Sequence, residues 1–370
     1  MIEFSKQSID LGDYPLLRNM QIVETPASRI VSIGSCLPER VVDNEELTRM
    51  VTAPRLLKRR LSDVITRITG VETRRFAEKG TSPSDLAVAA CRQALERAAV
   101  GAADVDTLIF ASTDTDTIEP ATANIVQAKL GIATINAFDV SNACNSFIQA
   151  INVANSMIAT GAAHRVLITT GEIGSYAANR EISSKDDLRV KLGGLTLGDA
   201  GAAMVLDASD GRSGITEVNL LSMGEFWQLC HVPETTDWRQ RENGSIHGWF
   251  YLDMPGLAKL VRPTTVDYFK QYGDLRRRFY GEDHFMNSLV RLIPHQISTV
   301  LIEEMITATA SDPEKICISA DVWGNTASAS IPLTLQRAIE QDGLALGSGQ
   351  EVLLYGAASG YSLGHLRLKL

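Results

Sequence analysis

Apolar residues recur at Phe147, Ala150, Ile151, Ala154, Met157 and Ile158, a spacing of three and four that predicts a helix with one stripe turned toward a core. A strand-like run, Asn136–Val140, stands before this helix, and another, Arg165–Thr170, follows it after Gly161. The same order returns late in the chain. There the pattern predicts a strand between Ile316 and Val322, a loop, a helix led by Pro332, Gly347, and a strand from Glu351 to Tyr355. Upstream, a helix over Leu86–Ala99 passes to a strand over Thr107–Ser112, and such alternation marks an α/β fold. One unit used twice would bring Cys144 and Asn325 to equivalent ends of adjacent sheets. The least regular stretch is Phe226–Tyr280, where Trp227, Trp238, Trp249, Phe250 and Tyr251 stand among charges and glycines. It reads as a connecting region with aromatic anchors, or as the lining of a substrate tunnel, a lid or a dimer contact.

The 370 residues are 45% hydrophobic and 21% charged, enough for a large core and two to three domain-sized units. A net charge of −9 argues against nucleic acid or an anionic membrane as the main partner. Five cysteines, Cys36, Cys91, Cys144, Cys230 and Cys317, lack paired spacing, so neither a disulfide framework nor a zinc site is expected. The first residues have no basic segment followed by an apolar one, and no uncharged stretch is long enough to span a bilayer. The expected location is the cytoplasm.

Cys144 follows the strand-like run and precedes the helix, where unpaired amides and the helix dipole favour a thiolate. An inert buried cysteine is the plain alternative. His295 follows an apolar run, and Asn325 lies in Gly324-Asn-Thr326; alone, the first reads as an ordinary surface or core histidine and the second as a helix cap. Together they form a Cys/His/Asn set, in which imidazole serves a thiol and an amide donates to a developing oxyanion.

Several segments carry a resemblance: Ile33-Gly34, Leu37-Pro38, Ile68–Arg75, Pro120–Ala123, Phe138–Val140 with Ala143-Cys144, Gly198-Asp199 with Gly201–Ala203, Pro294–Gln296, Gly324–Thr326 and Gly360–Gly364. In order and spacing the chain resembles thiolase-fold condensing enzymes of the β-ketoacyl-acyl carrier protein synthase III type. The resemblance implies a layered αβαβα core of two similar halves. Its division would be an extension over 1–28, a nucleophile half over 29–210, and a half with His and Asn over 211–370 that includes an enlarged cap at about 222–288. It implies that Cys144 accepts an acyl group while His295 and Asn325 hold the carbonyl oxygen of a second thioester. The acyl-enzyme carbonyl would lie between the amides of Cys144 and Ser359, where the family usually has glycine. No metal or redox cofactor is implied; acyl-CoA or acyl-carrier thioesters would be substrates, and the functional state a homodimer.

The departures from the family pattern bear on substrate. Val64 stands where the family has an adenine-stacking Trp, and Ile68 replaces an Arg, so recognition of coenzyme A by that route is weakened. After the histidine, Val300, Glu303 and Glu304 replace residues that are often basic, and would repel an acidic carrier. Other basic candidates are Arg55, Lys58, Arg59 and Arg60, or Arg276, Arg277 and Arg278. Glu119 stands at a place that is commonly apolar in fatty acid starters, and relatives joining two acyl chains head to head carry a Glu there as the base for an α-proton. The plain alternative is a solvated residue before a proline-led helix.

The leading reading is therefore an acyltransferase that loads Cys144 and then forms a carbon–carbon bond by Claisen condensation, in fatty acid or polyketide-like biosynthesis. Alternatives are head-to-head condensation with Glu119 as base, acyl transfer to oxygen or nitrogen of a secondary metabolite, a cysteine hydrolase, and a catalytically silent partner subunit.

Overall fold

The computed structural model describes residues 2–4, 7–9, 11–233 and 248–370. Trp238 of the aromatic-rich stretch lies outside them. Ten strands build two sheets: β1 (Gln21–Ile22), β2 (Ser28–Cys36), β3 (Thr107–Ala111), β4 (Asn136–Val140), β5 (Arg165–Ile173), β6 (Asp199–Ala208), β7 (Gly214–Ser222), β8 (Arg291–Pro294), β9 (Glu351–Ala358) and β10 (Ser362–Lys369). Sheet one has the order β2-β6-β5-β3-β4, and sheet two β8-β9-β10-β7-β1. The main helices are α1 (Leu61–Thr69), α2 (Pro83–Ala98), α3 (Thr122–Leu130), α4 (Ser146–Ala159), α5 (Met254–Tyr280), α6 (Thr299–Thr309), α7 (Ala320–Trp323) and α8 (Ser330–Gln341).

The internal repeat is real at the level of topology. In sheet one β3 runs parallel to β4 and β5, while β5 and β6, and β6 and β2, pair antiparallel. In sheet two β8 runs parallel to β9, while β9 and β10, and β10 and β7, pair antiparallel. Alternation of side chains decides the layers. Ile109 and Ala111 of β3, with Val352 and Leu354 of β9, join Phe147, Ile151 and Ala154 of α4 and Ile331 and Leu335 of α8 in a core between the sheets. The intervening residues face outward: Leu108 and Phe110 pack with α2, and Leu353 and Tyr355 with α5 and α6. The result is the expected αβαβα core. Close approach of α2 to sheet one requires glycine, since a Cβ on Gly171 would sit 1.8 Å from the Pro83 carbonyl oxygen and one on Gly201 2.3 Å from that of Leu86.

Two elements differ from the pattern-based reading. No full strand forms between Ile316 and Val322: Ile316 makes one parallel bridge to Leu292, and the chain then enters α7. The amides of Ser319 and Ala320 donate to the side-chain oxygen of Gln296 instead of to a strand. In the stretch expected to be irregular lies α5, at 27 residues the longest helix. Leu257, Leu260, Val261, Tyr268, Phe269, Tyr272 and Leu275 supply its apolar face, and the side chain of Asp253 caps its start. Within the segment expected to be an extension, Tyr14, Leu17 and Met20 are buried against α5, and β1 pairs with β7.

Candidate active site

Cys144 lies in the turn between β4 and α4, two residues before the helix begins. Ala143 adopts a left-handed backbone with φ 48°, a conformation that costs a non-glycine residue about 1–2 kcal/mol. Hydrogen bonds hold it. The Ser146 hydroxyl accepts from the Asn142 amide at 2.8 Å and donates to the Ala143 carbonyl at 2.7 Å. The Asn145 side chain donates to the Ser362 carbonyl at 2.9 Å, tying the turn to sheet two. Burial raises the Cys144 thiol pKa, and Cys230 and Glu172 raise it further, against a lowering by its own backbone amide. Desolvation of the sulfur anion therefore works against the thiolate that the helix start would favour.

His295 follows β8 and is buried. Its Nδ1 lies 2.7 Å from the Ser330 hydroxyl, whose proton has no other acceptor among the described residues. Ser330 therefore donates to Nδ1 and the ring proton sits on Nε2, which is buried with no hydrogen-bond partner. Burial pushes the imidazole pKa down to about 4, so it is neutral at physiological pH. Asn325 follows α7, and its side-chain oxygen accepts the Ala327 amide at 3.0 Å. That bond fixes which end of the amide is the donor, and the nitrogen has no partner among the described residues. Gln296 braces both: its nitrogen donates to the Pro294 carbonyl at 2.7 Å and the Cys317 carbonyl at 3.1 Å, while its oxygen receives Ser319 and Ala320.

A narrow cleft leads to Asn325 between Thr69, Gly193, Met254, Ser298 and Leu301. Gly193 admits the side chain of Leu252, since a Cβ there would lie 2.6 Å from it. Ser359 does not need a left-handed backbone: positive φ falls on Gly360 and Tyr361. The Ser359 hydroxyl lies 3.0 Å from the Cys230 sulfur. Among the described residues, no three His, Cys, Asp or Glu side chains converge as a metal site, and no helix is long and apolar enough to cross a membrane.

Known proteins match this chain in sequence and fold. The family models for 3-oxoacyl-[acyl-carrier-protein] synthase III and for its C-terminal part match residues 138–224 and 285–370. Over 347 residues the chain is 30% identical to the beta-ketoacyl-[acyl-carrier-protein] synthase III of Methylococcus capsulatus, covering 92% of this chain and 98% of that protein. The chain belongs to the β-ketoacyl-acyl carrier protein synthase III family. A crystal structure of a synthase III from Aquifex aeolicus superposes with a TM-score of 0.78 at 25% identity, covering 93% of this chain and all of that one. Cerulenin-bound OleA from Xanthomonas campestris superposes equally, with a TM-score of 0.78 at 23% identity over 98% of this chain and all of that one, a likeness of fold.

As a synthase III family member the chain is a condensing acyltransferase by type. Its helix α4 packs on the Ala327–Ala329 turn and His295 bonds to Ser330, so the elements bearing Cys144, His295 and Asn325 meet. Glu119 does not join them within one chain: it is exposed beside Ile118, which is 60% exposed, and makes no hydrogen bond or ion pair among the described residues. Of the basic candidates, Arg276 is withdrawn from solvent by ion pairs to Glu217 and Glu282, and the Lys58 amine is spent on the carbonyls of Arg49 and Val51. Arg55, Arg59 and Arg60 are exposed. Glu304 is paired with Arg262, which reduces its repulsion of an acidic partner. Sequence reasoning passed over Ser330, Gln296 and Glu172; a glutamine directly after the histidine, at a buried strand end, was the available signal.

Proposed function

We propose that the protein is a β-ketoacyl synthase in which Cys144 takes an acyl group from a thioester and passes it to the α-carbon of a second thioester. The observation that supports this most is that two donors, the buried His295 Nε2 and the Asn325 side-chain nitrogen, have no acceptor among the described residues. A buried unpaired donor is costly, and an oxygen gaining negative charge in the transition state is the acceptor that offsets the cost. A neutral imidazole can donate from Nε2 without supplying a proton irreversibly, which suits an enolate more than a hydrolytic leaving group. The amides of Cys144 and Ser359 would hold the acyl-enzyme oxygen. Donors are acyl-CoA or acyl-carrier thioesters, the state is a homodimer, and the extender is of the malonyl type, decarboxylated as the bond forms. The enzyme would act in the cytoplasm, without a metal or redox cofactor. The test incubates purified protein with acyl thioesters, follows Cys144 by intact mass, and analyses products with and without malonyl thioester.

A second reading is favoured by Glu119, a carboxylate on an exposed loop that has no hydrogen bond or ion pair among the described residues. If that loop reaches the partner's site, Glu119 removes an α-proton and no malonyl group is needed. Glu119→Gln then keeps loading and stops condensation of simple acyl thioesters. A strict malonyl requirement with near-normal Glu119→Gln activity rejects it.

A further inference from the structure

The turn that carries Ser359 is strained. Between β9 and β10 it runs Ser359-Gly360-Tyr361, with φ 74° at Gly360 and φ 49° at Tyr361. A left-handed tyrosine costs about 1–2 kcal/mol and persists only where its surroundings fix it. The Tyr361 carbonyl accepts the Met223 amide at 3.0 Å, and the Tyr361 hydroxyl donates to the Leu260 carbonyl at 3.4 Å. The next residue, Ser362, receives the side chain of Asn145 on its carbonyl at 2.9 Å and that of Asn142 on its hydroxyl at 3.2 Å, which ties this turn to the one bearing Cys144. At the other end, Ser359 Oγ lies 3.0 Å from Cys230 Sγ. A thiol and a hydroxyl can each donate to the other, so the contact is a hydrogen bond in either direction.

Cys230 is buried on a braced element. With His231 it pairs antiparallel with Tyr251 and Leu252 in a two-stranded ribbon. The Asp253 amide donates to the Leu229 carbonyl at 2.8 Å, and the Phe250 amide to the Ala177 carbonyl at 2.9 Å. Leu252, the cross-strand partner of Cys230, packs on Gly193 in the cleft that leads to Asn325. One member of this pair thus touches the Ser359 turn and the other the Asn325 cleft.

We propose that Cys230 is a positioning residue: its sulfur fixes the Ser359 side chain, and through it the Ser359 amide that receives the oxygen of the acyl-enzyme. In loading, the Cys144 sulfur adds to the acyl carbon and the thioester oxygen takes the negative charge. Collapse re-forms the carbonyl and expels the donor thiol with the proton that left Cys144. Cys230 touches none of these atoms. It acts on the step in which the oxygen is charged, where a donor displaced by about 1 Å can cost about 10²-fold in rate. Loading is therefore the step it affects, unlike His295 and Asn325, which are assigned above to the second thioester. The proposal rests on that same reading, in which Cys144 is acylated and the Ser359 amide holds the acyl oxygen.

The experiment compares Cys230→Ala and Cys230→Ser with wild type, following Cys144 by intact mass and peptide mapping. Acylation from acyl-CoA builds charge on a carbonyl oxygen, whereas alkylation by iodoacetamide displaces iodide at a methylene carbon and builds none there. Cys230→Ala is expected to slow acylation about tenfold at saturating acyl-CoA, with an unchanged half-saturation concentration and full final labelling, and to alkylate within about twofold of wild type. Cys230→Ser keeps a hydroxyl that can meet Ser359 and should recover most of the rate. Equal slowing of both reactions, or Cys230→Ser as slow as Cys230→Ala, would mean a general loss of packing and overturns the proposal. Should Cys230→Ala fail to fold, Ser359→Ala removes the same contact from the other side and keeps the amide: slowed acylation with normal alkylation supports the proposal, and any other result overturns it. Acyl mass on a residue other than Cys144 overturns the site reading and the proposal with it, whereas a wild-type acylation rate of Cys144 in Cys230→Ala overturns the proposal alone.

Discussion

In sheet one the turn carrying Cys144 leaves a full strand, β4, paired in parallel with β3 over five residues, whereas the equivalent edge of sheet two is the single bridge from Leu292 to Ile316. Both turns contain a left-handed alanine, Ala143 with φ 48° and Ala327 with φ 45°. They are held differently. A backbone ladder and the Ser146 hydroxyl fix the turn of Cys144, while Gln296 and Ser330 fix the turn and the imidazole in the other half. Where a side chain stands in for a strand, a point substitution can remove the support without removing the fold. The two half-reactions proposed for this site should therefore be separable by mutation.

The sharpest break is expected at Cys144. Cys144→Ala should abolish covalent acylation by any thioester, read by intact mass, while thermal unfolding stays close to wild type. Next come His295→Ala and Asn325→Ala. Each should still load but lose condensation by about 10²–10³-fold, the usual effect of removing one oxyanion donor. Gln296→Ala should cost about 2–4 kcal/mol of stability, since four hydrogen bonds are lost and their buried backbone partners are left unpaired. Its condensation should fall more than its loading, and equal losses in both would show that Gln296 supports the whole molecule and not one half. Ser330→Ala should reduce condensation by about tenfold, by freeing the imidazole to exchange tautomers.

The smallest effect separates the halves by pH. Glu172 and Asp199, both in sheet one, have raised carboxyl pKa values, about 8 and about 6, so the folded state binds more protons than the unfolded one. Their contribution is fully present below the ordinary carboxyl range and is lost as pH rises through about 6 and then about 8. Stability should fall by about 1 kcal/mol per pH unit between pH 7 and 8, and Glu172→Gln should flatten that fall. Chemical denaturation at a series of pH values checks it.

The repeat was legible because the apolar periodicity of α4, and the strands before and after it, are local signals. Cys144 and His295 stood out as candidates because each follows a strand-like run, whereas Asn325 follows the short helix α7. Helix α5 was not, because Gly256, Pro263 and Gly273 lower its intrinsic propensity and its apolar stripe is partly aromatic and polar. Its formation depends on packing against β9 and the segment from Tyr14 to Met20. Glu172 is bonded to Ser328, 156 residues away, and Ser330 to a histidine 35 residues earlier. No local pattern records such pairs. The environment of the thiol was not legible for a related reason: the helix start is visible in sequence, and the desolvation that works against it is not.

The division of labour between the halves is tested most directly by a chase on His295→Ala. The variant is loaded with an acyl group, freed of excess donor, and mixed with malonyl thioester while the acyl-Cys144 mass is followed over time. Persistence of the acyl mass for at least about a hundred times the wild-type lifetime is the expected result. Discharge at the wild-type rate with formation of β-ketoacyl product would contradict the assignment of His295 to the second half-reaction.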